Sequence, residues 1–528
     1  MGARADNAAL PAAGARAGNA ALPAAGAGPA AGARAGNATL PAAGARAGNA
    51  ALPAAGAGPA AGARAGNAAL PAAGARVSPA RNFAYDILIR VERDGSYASE
   101  LLNAPRMDTL SREDRALTYE LVMSTLRWQS ELDARIAKYS SQKVSRLDGE
   151  VRVALRLGAC QLSHLERIPA HAAVHESVEL VKQSGKKSAV PYANAVLRKL
   201  AANAKTPVVD EEAVKDPHLL SAAELAHRLA IEFAHPPWMV ARWIDMYGYS
   251  AARAVCEADQ HAPAAALRLC TPDAEEELTE AGIRVAPGAL LTGARRLISG
   301  DLAHSIPFRD HHVAVQDEAS QLVAALVGKG ARILDCCAAP GGKTSAIAAR
   351  NPGAKITAVE LHEHRARLLK ERVAAMNVNV LIGNVAAIAF PEKFDCVLAD
   401  VPCSGTGTLA GNPEIKGRLK VEDLKALQDL QVSILRAGAA ALAPDGRLVY
   451  STCSLEREEC EDVLEQVLQG DDTLSLVDCG SVLEELKSAG ELAWSDPKTL
   501  TRGAYLRTLP GIHPCEGFFA AVLKKGRD

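Results

Sequence analysis

The chain has 528 residues, 48% hydrophobic and 4% aromatic, room for about three or four domains on the usual length prior. A net charge of −2 excludes a uniformly basic nucleic-acid coat, so any RNA-binding surface must be a local patch. The 11 cysteines form no CxxC pairs and the first residues lack an apolar leader run. That pattern predicts reduced thiols in a cytoplasmic protein, with neither a disulfide framework nor a metal site. No apolar run approaches the ~18 residues needed to span a bilayer, and nothing in the sequence demands more than a monomer.

Residues 1–77 are low in complexity, and the block that starts at Gly14 returns at Gly44. Each unit offers one Leu among Ala, Gly and Pro, too little apolar surface to offset the ordering of the chain. A disordered tail is expected, from expanded repeat DNA or a misassigned start codon. Residues 80–205 read as a helical bundle, with Val151, Leu155 and Leu162 on one face and Asp148 placed to cap that helix. Two more amphipathic segments run from His171 to Lys182 and from Pro191 to Leu200. Basic residues mildly outnumber acidic ones between Arg81 and Lys199. A polar linker follows over 206–220, and 221–309 reads as a small mixed α/β subdomain whose helical part opens at Phe233-Ala234-His235-Pro236-Pro237-Trp238.

Over 310–528 strands and helices alternate, the signature of a mainly parallel, Rossmann-like α/β sheet. Strands are predicted at Arg332–Cys336, Lys355–Leu361, Val378–Ile382, Phe394–Asp400 and Arg447–Ser451, with helices at Glu363–Met376 and Val421–Ala443. A late strand at Gly517–Leu523 is expected antiparallel at the sheet edge.

The turn Asp335-Cys336-Cys337-Ala338-Ala339-Pro340-Gly341-Gly342-Lys343-Thr344 follows the first of these strands. Its glycines let backbone N–H groups approach a ligand closely. Cys337 occupies the first Gly position of a Walker A loop, and Pro340 removes a cradling N–H. A methyltransferase turn asks less, because S-adenosylmethionine has no phosphates. The motif by itself leaves a P-loop and a structural turn open. Glu360 ends the second strand, where a carboxylate can accept both ribose hydroxyls.

Two cysteines stand at the ends of later strands: Cys403 in Asp400-Val401-Pro402-Cys403-Ser404-Gly405, and Cys453 in Tyr450-Ser451-Thr452-Cys453-Ser454. Both are placed at the edge where open α/β sheets bind ligands. Cys160, Cys256, Cys270, Cys396, Cys460, Cys479 and Cys515 read as small buried residues. With the glycine turn, this pair resembles the RNA cytosine-5 methyltransferases. Upstream, Leu155–Leu162, Ile168–Glu176 and Asn194–Arg198 resemble the NusB-like RNA-binding domain, a combination similar to the RsmB/Sun type that acts on 16S ribosomal RNA.

The resemblance implies S-adenosylmethionine held by Cys337, Ala338, Ala339, Pro340, Gly341, Gly342, Lys343, Glu360, Asn384 and Asp400. It implies Cys453 as the nucleophile that adds to cytosine C6, Cys403 as the thiol that assists product release, Asp400 near N3, and Lys343 organising the site. A thiolate on C6 makes C5 carbanion-like, and the target base must be unstacked to be reached. A helix expected over Glu456–Leu468 would present its N-terminal dipole to Cys453 and lower the thiol pKa. The sequence departs from the family at Leu269-Cys270, where an Asn usually follows, at His312, at Asn384 in an acidic position, and at Gly417 in an aromatic one. Other readings are the same chemistry on tRNA or another RNA, and a non-catalytic RNA-binding or antitermination factor.

Overall fold

The computed structural model describes residues 77–204 and 220–527. The repeat tail and the linker 206–220 lie outside the described residues, apart from Val77 and Leu220 at their inner ends. Val77 is buried in the first helical core.

That core is built by α1 (Pro79–Asp94), α2 (Ala98–Leu102), α3 (Arg112–Arg127), α4 (Gln129–Tyr139), α5 (Gly149–His164), α6 (Ala170–Gln183) and α7 (Val190–Ala202). In α1, Ala80, Ala84, Ile87, Leu88 and Val91 repeat at helical spacing and are all buried. Gly95, at φ +67, ends the helix as a left-handed cap. Asp148 stands at the N-cap of α5 as the sequence predicts, but its side chain makes no capping bond. Arg156 of α5 pairs with Asp133 and Glu92, both at 2.7 Å, tying α5 to α4 and α1.

The next segment forms α8 (Ala222–Glu232), α9 (Pro237–Tyr247) and α10 (Tyr249–Ala258). It continues as β1 (Ala266–Leu269), α11 (Ala274–Glu280), β2 (Arg284–Pro287), β3 (Ala294–Ser299), α12 (Ile306–Arg309) and β4 (Val313–Val315). The four strands form an antiparallel sheet in the order β2-β3-β1-β4. Its last strand lies beyond Arg309, so this subdomain extends past the expected 221–309.

The remaining elements are α13 (Glu318–Leu326), β5 (Arg332–Asp335), α14 (Gly342–Arg350), β6 (Lys355–Glu360), α15 (Glu363–Arg372), β7 (Val378–Ile382) and β8 (Phe394–Asp400). After them come α16 (Ile415–Arg418), α17 (Asp423–Ala441), β9 (Leu442–Thr452), α18 (Glu461–Leu468), β10 (Leu474–Val477), α19 (Cys479–Ser488), β11 (Thr501–Arg502), β12 (Tyr505–Arg507) and β13 (Phe519–Lys525). The sheet runs β11-β12-β13-β9-β8-β5-β6-β7, with β10 also paired to β13. The five strands from β5 to β9 are mutually parallel. β13 is antiparallel as expected but lies inside the sheet, between β9 on one side and β10 and β12 on the other. No helix among the described residues is long and apolar enough to cross a membrane.

Gly158 sets how closely α5 can approach α6 and α7. A Cβ there would lie 2.7 Å from Leu197 Cδ2 and 2.9 Å from Ser177 Oγ. Gly158→Ala is therefore expected to cost about 1–3 kcal/mol through overpacking, read as a lower urea midpoint. An unchanged midpoint would show that both neighbours yield freely.

Candidate active site

The register Asp400↔Ser451 between β8 and β9 levels the ends of these two strands. Cys403 and Cys453, just past those ends, therefore meet, with their sulfurs 3.3 Å apart. Both are buried, at 1% and 4% exposure. Asp400 closes the group: Ser451 Oγ donates to its Oδ1 at 2.7 Å, and Lys343 Nζ lies 2.9 Å from its Oδ2. Burial opposes the charge on Lys343, but Asp400 outweighs it and holds the ammonium above its usual range. The ammonium also sits 4.9 Å over the Phe518 ring, a cation–π contact.

The expected lowering of the Cys453 pKa does not occur. Residues Arg457–Glu459 form a 3-10 turn, and α18 starts only at Glu461, so no helix N-terminus faces the thiol. The hydrogen bond with Cys403 and burial push the Cys453 thiol well up.

Glu459 holds the two cysteine turns together. Its Oε1 accepts from Ser404 N (2.8 Å) and Gln431 Nε2 (2.9 Å), and its Oε2 accepts from Ser404 Oγ and from Ser454 Oγ (2.5 Å). Ser404 and Ser454 each directly follow one of the cysteines. The sequence reading missed this residue, because an acidic run after a strand looks like an ordinary helix start. It also missed Asp317, which burial pushes up to about 6, and Glu516, whose N–H donates to Asp317 Oδ2 at 3.2 Å.

The predicted cofactor turn lies at the adjacent strand end. Thr344 Oγ1 donates to Asp335 Oδ2 at 2.8 Å, Ala338 N–H to Val359 O at 2.9 Å, and Arg365 Nη2 to Ala339 O at 2.8 Å. The Ala339–Pro340 peptide is cis. Gly341, at φ +98, is required for the turn into α14, since a Cβ would also meet Leu369 at 2.9 Å. Glu360 is 3% exposed; its Oε1 accepts from His362 N at 2.9 Å. Among the described residues no protein donor bonds its Oε2, and that free carboxylate oxygen at a strand end fits a ribose diol. Asn384 sits past β7 as expected, exposed, with its Oδ1 accepting from Ala386 N at 3.0 Å. Cys337 is half-buried beside Asp335, with its N–H on Asp335 Oδ1 at 3.4 Å.

Of the cysteines expected to be buried, Cys270 and Cys515 are only half-buried, and the others are buried. No His/Cys/Asp/Glu cluster suited to a metal occurs among the described residues. Gly417 borders a cavity of about 130 Å³ between α16 and the N-terminal helices, also lined by Leu88, Leu126 and Arg418.

An open sheet with a glycine turn, a buried carboxylate at the next strand end, paired with Arg365 at 3.6 Å, and two facing thiols fits an S-adenosylmethionine-dependent methyltransferase. Residues 325–524 match the family model described as 16S rRNA methyltransferase RsmB/F, and residues 78–202 match the NusB family. The chain is 33% identical over 461 residues to "Probable ribosomal RNA small subunit methyltransferase B" of Bacillus subtilis (strain 168), covering 84% of this chain and 98% of that one. It is 30% identical over 458 residues to "Ribosomal RNA small subunit methyltransferase B" of Salmonella paratyphi B (strain ATCC BAA-1250 / SPB7), covering 84% and 98%. The crystal structure of PH0851 shares the fold, with TM-score 0.67 and 22% identity over 85% of this chain and 99% of that one. This chain belongs to the RsmB/F family of RNA cytosine-5 methyltransferases, fused to an N-terminal NusB domain.

Glu459→Ala leaves several buried donors without a partner and is expected to cost about 3 kcal/mol, with methyl transfer falling further than the loss of folded protein explains. Equal losses in the two measurements would remove its aligning role. Burial pushes Asp335 up to about 7 from 3.8. Between those values the folded state keeps a proton that the unfolded state releases. The stability Asp335 contributes is therefore full below 3.8 and is lost as pH rises to about 7. Asp335→Asn should flatten that fall in urea midpoints across this window; parallel curves for the two proteins would contradict it.

Proposed function

We propose that this protein methylates C5 of a cytidine in 16S ribosomal RNA through a covalent bond between Cys453 and C6 of the base. The observation that carries this reading is the contact of Cys403 and Cys453 at 3.3 Å beside the Asp400–Lys343 pair. Relatives named for the small ribosomal subunit, matched along nearly their whole length, support the choice of RNA.

Cys337, Ala338, Ala339, Pro340, Gly341, Gly342, Lys343, Glu360, Asn384 and Asp400 would hold S-adenosylmethionine, and bound there it supplies an electrophilic methyl group. The protein's own residues do the rest. Cys453 Sγ bonds to C6 as its proton passes to Asp400, and the electron pair of the C5–C6 double bond moves to C5. Asp400, fixed by Ser451 and Lys343, contacts the ring near N3, where charge develops. After C5 is methylated, its proton is removed, the double bond re-forms and the C6–S bond breaks. Cys403, in contact with Cys453, assists that release.

The test uses Cys403→Ala and Cys453→Ala with S-adenosylmethionine and a 16S RNA transcript. Cys403→Ala should accumulate a protein–RNA adduct that survives denaturation, and Cys453→Ala should form none. The reverse pattern would exchange the two roles. Methyl transfer by the wild type to tRNA, with none to the ribosomal transcript, would move the substrate.

A further inference from the structure

Two arginines crowd the glycine turn, and among the described residues no carboxylate pairs with either. Arg268, on β1, donates Nε to Gln316 Oε1 at 3.0 Å and Nη2 to Ser345 Oγ at 2.7 Å. Ser345 Oγ donates in turn to the Gly342 carbonyl at 3.0 Å. Arg372, the last residue of α15, arrives from the other side. A Cβ on Gly342 would lie 3.8 Å from both Arg372 Nη1 and the Gln316 amide. Both arginines are half-buried. Burial and the neighbouring Arg268 charge lower the Arg372 pKa, and Cys270 alone pulls the other way.

Two guanidinium groups drawn together and partly dried repel one another, a cost that an anion between them removes. Their forked donors match phosphate oxygens. The first N–H groups of α14, at Gly342 and Lys343, add positive potential at the same place.

We propose that Arg268 and Arg372 form a phosphate site that holds the RNA backbone between the small subdomain and the methyltransferase domain. This rests on the reading of the protein as an RNA methyltransferase. At 3.6 residues per turn, Ser345 lies about 200° around α14 from Lys343. The Arg268 contact thus faces away from the Lys343 side chain that reaches Asp400. That placement favours a phosphodiester flanking the target over the carboxylate of the bound nucleoside. The phosphate would fix the strand's position while the base turns into the cleft.

Arg372→Gln removes one charge, and among the described residues no hydrogen bond of the Arg372 guanidinium is lost with it. Its dissociation constant for the 16S transcript should rise roughly tenfold. The slope of log K against log salt should flatten by about 0.7, one phosphate contact on a single strand. Affinity for S-adenosylhomocysteine should stay at the wild-type value, and the thermal midpoint should hold or rise as the repulsion goes. An unchanged salt slope overturns the site; if S-adenosylhomocysteine then binds more weakly, the arginines serve the nucleoside's carboxylate. Arg372→Met gives the same readout should the Gln variant fail to fold. A wild type that binds no ribosomal transcript overturns both the parent reading and this site, whereas normal methylation with an unchanged slope overturns this site alone.

Discussion

The catalytic arrangement depends on one buried carboxylate. Glu459 accepts hydrogen bonds from Ser404 and Ser454, the residues directly after the two cysteines, and from Gln431 of α17. Bonds to a charged acceptor contribute about 1.5–3 kcal/mol each, while drying the carboxylate costs several kcal/mol. The balance adds little net stability. What the residue provides is position: two loops from different strands are held so that their thiols touch. Gly407 shows how tightly they close, since a Cβ there would lie 2.1 Å from the Gly517 carbonyl and 2.9 Å from that of Cys453.

The helical domains grip the same loops from outside. Glu414 Oε1 accepts from the Ala98 N–H at 2.9 Å, Lys416 Nζ donates to Arg127 O at 2.7 Å, and Arg127 Nη2 donates to Ala410 O at 2.9 Å. On the other turn, Trp243 Nε1 donates to Glu456 Oε1 at 2.9 Å and Tyr247 to Leu455 O at 2.6 Å. The segment after Cys403 is thus anchored to the NusB domain, and the segment after Cys453 to α9. The outer domains thus help to shape the walls of the cleft.

Much of this was legible in the sequence, for identifiable reasons. β7 and β8 match the predicted residues because each is a short apolar run with turn residues on both sides. The two cysteine motifs and the glycine turn lie at strand ends, where backbone geometry leaves little freedom. The start of β9 was hidden by Ala443-Pro444-Asp445-Gly446, which reads as a turn; Asp445 has φ +58, and the pairing with β8 shifts register there. β13 was placed at an edge because β10, β11 and β12 span only two to four residues each and carry almost no pattern. Glu456 and Glu459 misled in a more informative way. Acidic residues before an apolar run signal a helix start, yet both side chains turn inward as buried acceptors, so the helix begins later.

Under the proposed mechanism, that delayed helix changes how Cys453 would work. A helix dipole would have given Cys453 a standing thiolate, reactive toward any electrophile that reached it. The structure instead keeps the thiol dry, in contact with Cys403, with its proton firmly held. Attack by Cys453 in the proposed mechanism would then be coupled to proton removal, with the Asp400–Lys343 pair beside it. In that mechanism a cytosine turned into the cleft would bring its own polar edge to Asp400. On that reading the Cys453 thiol would be activated only with a base in place.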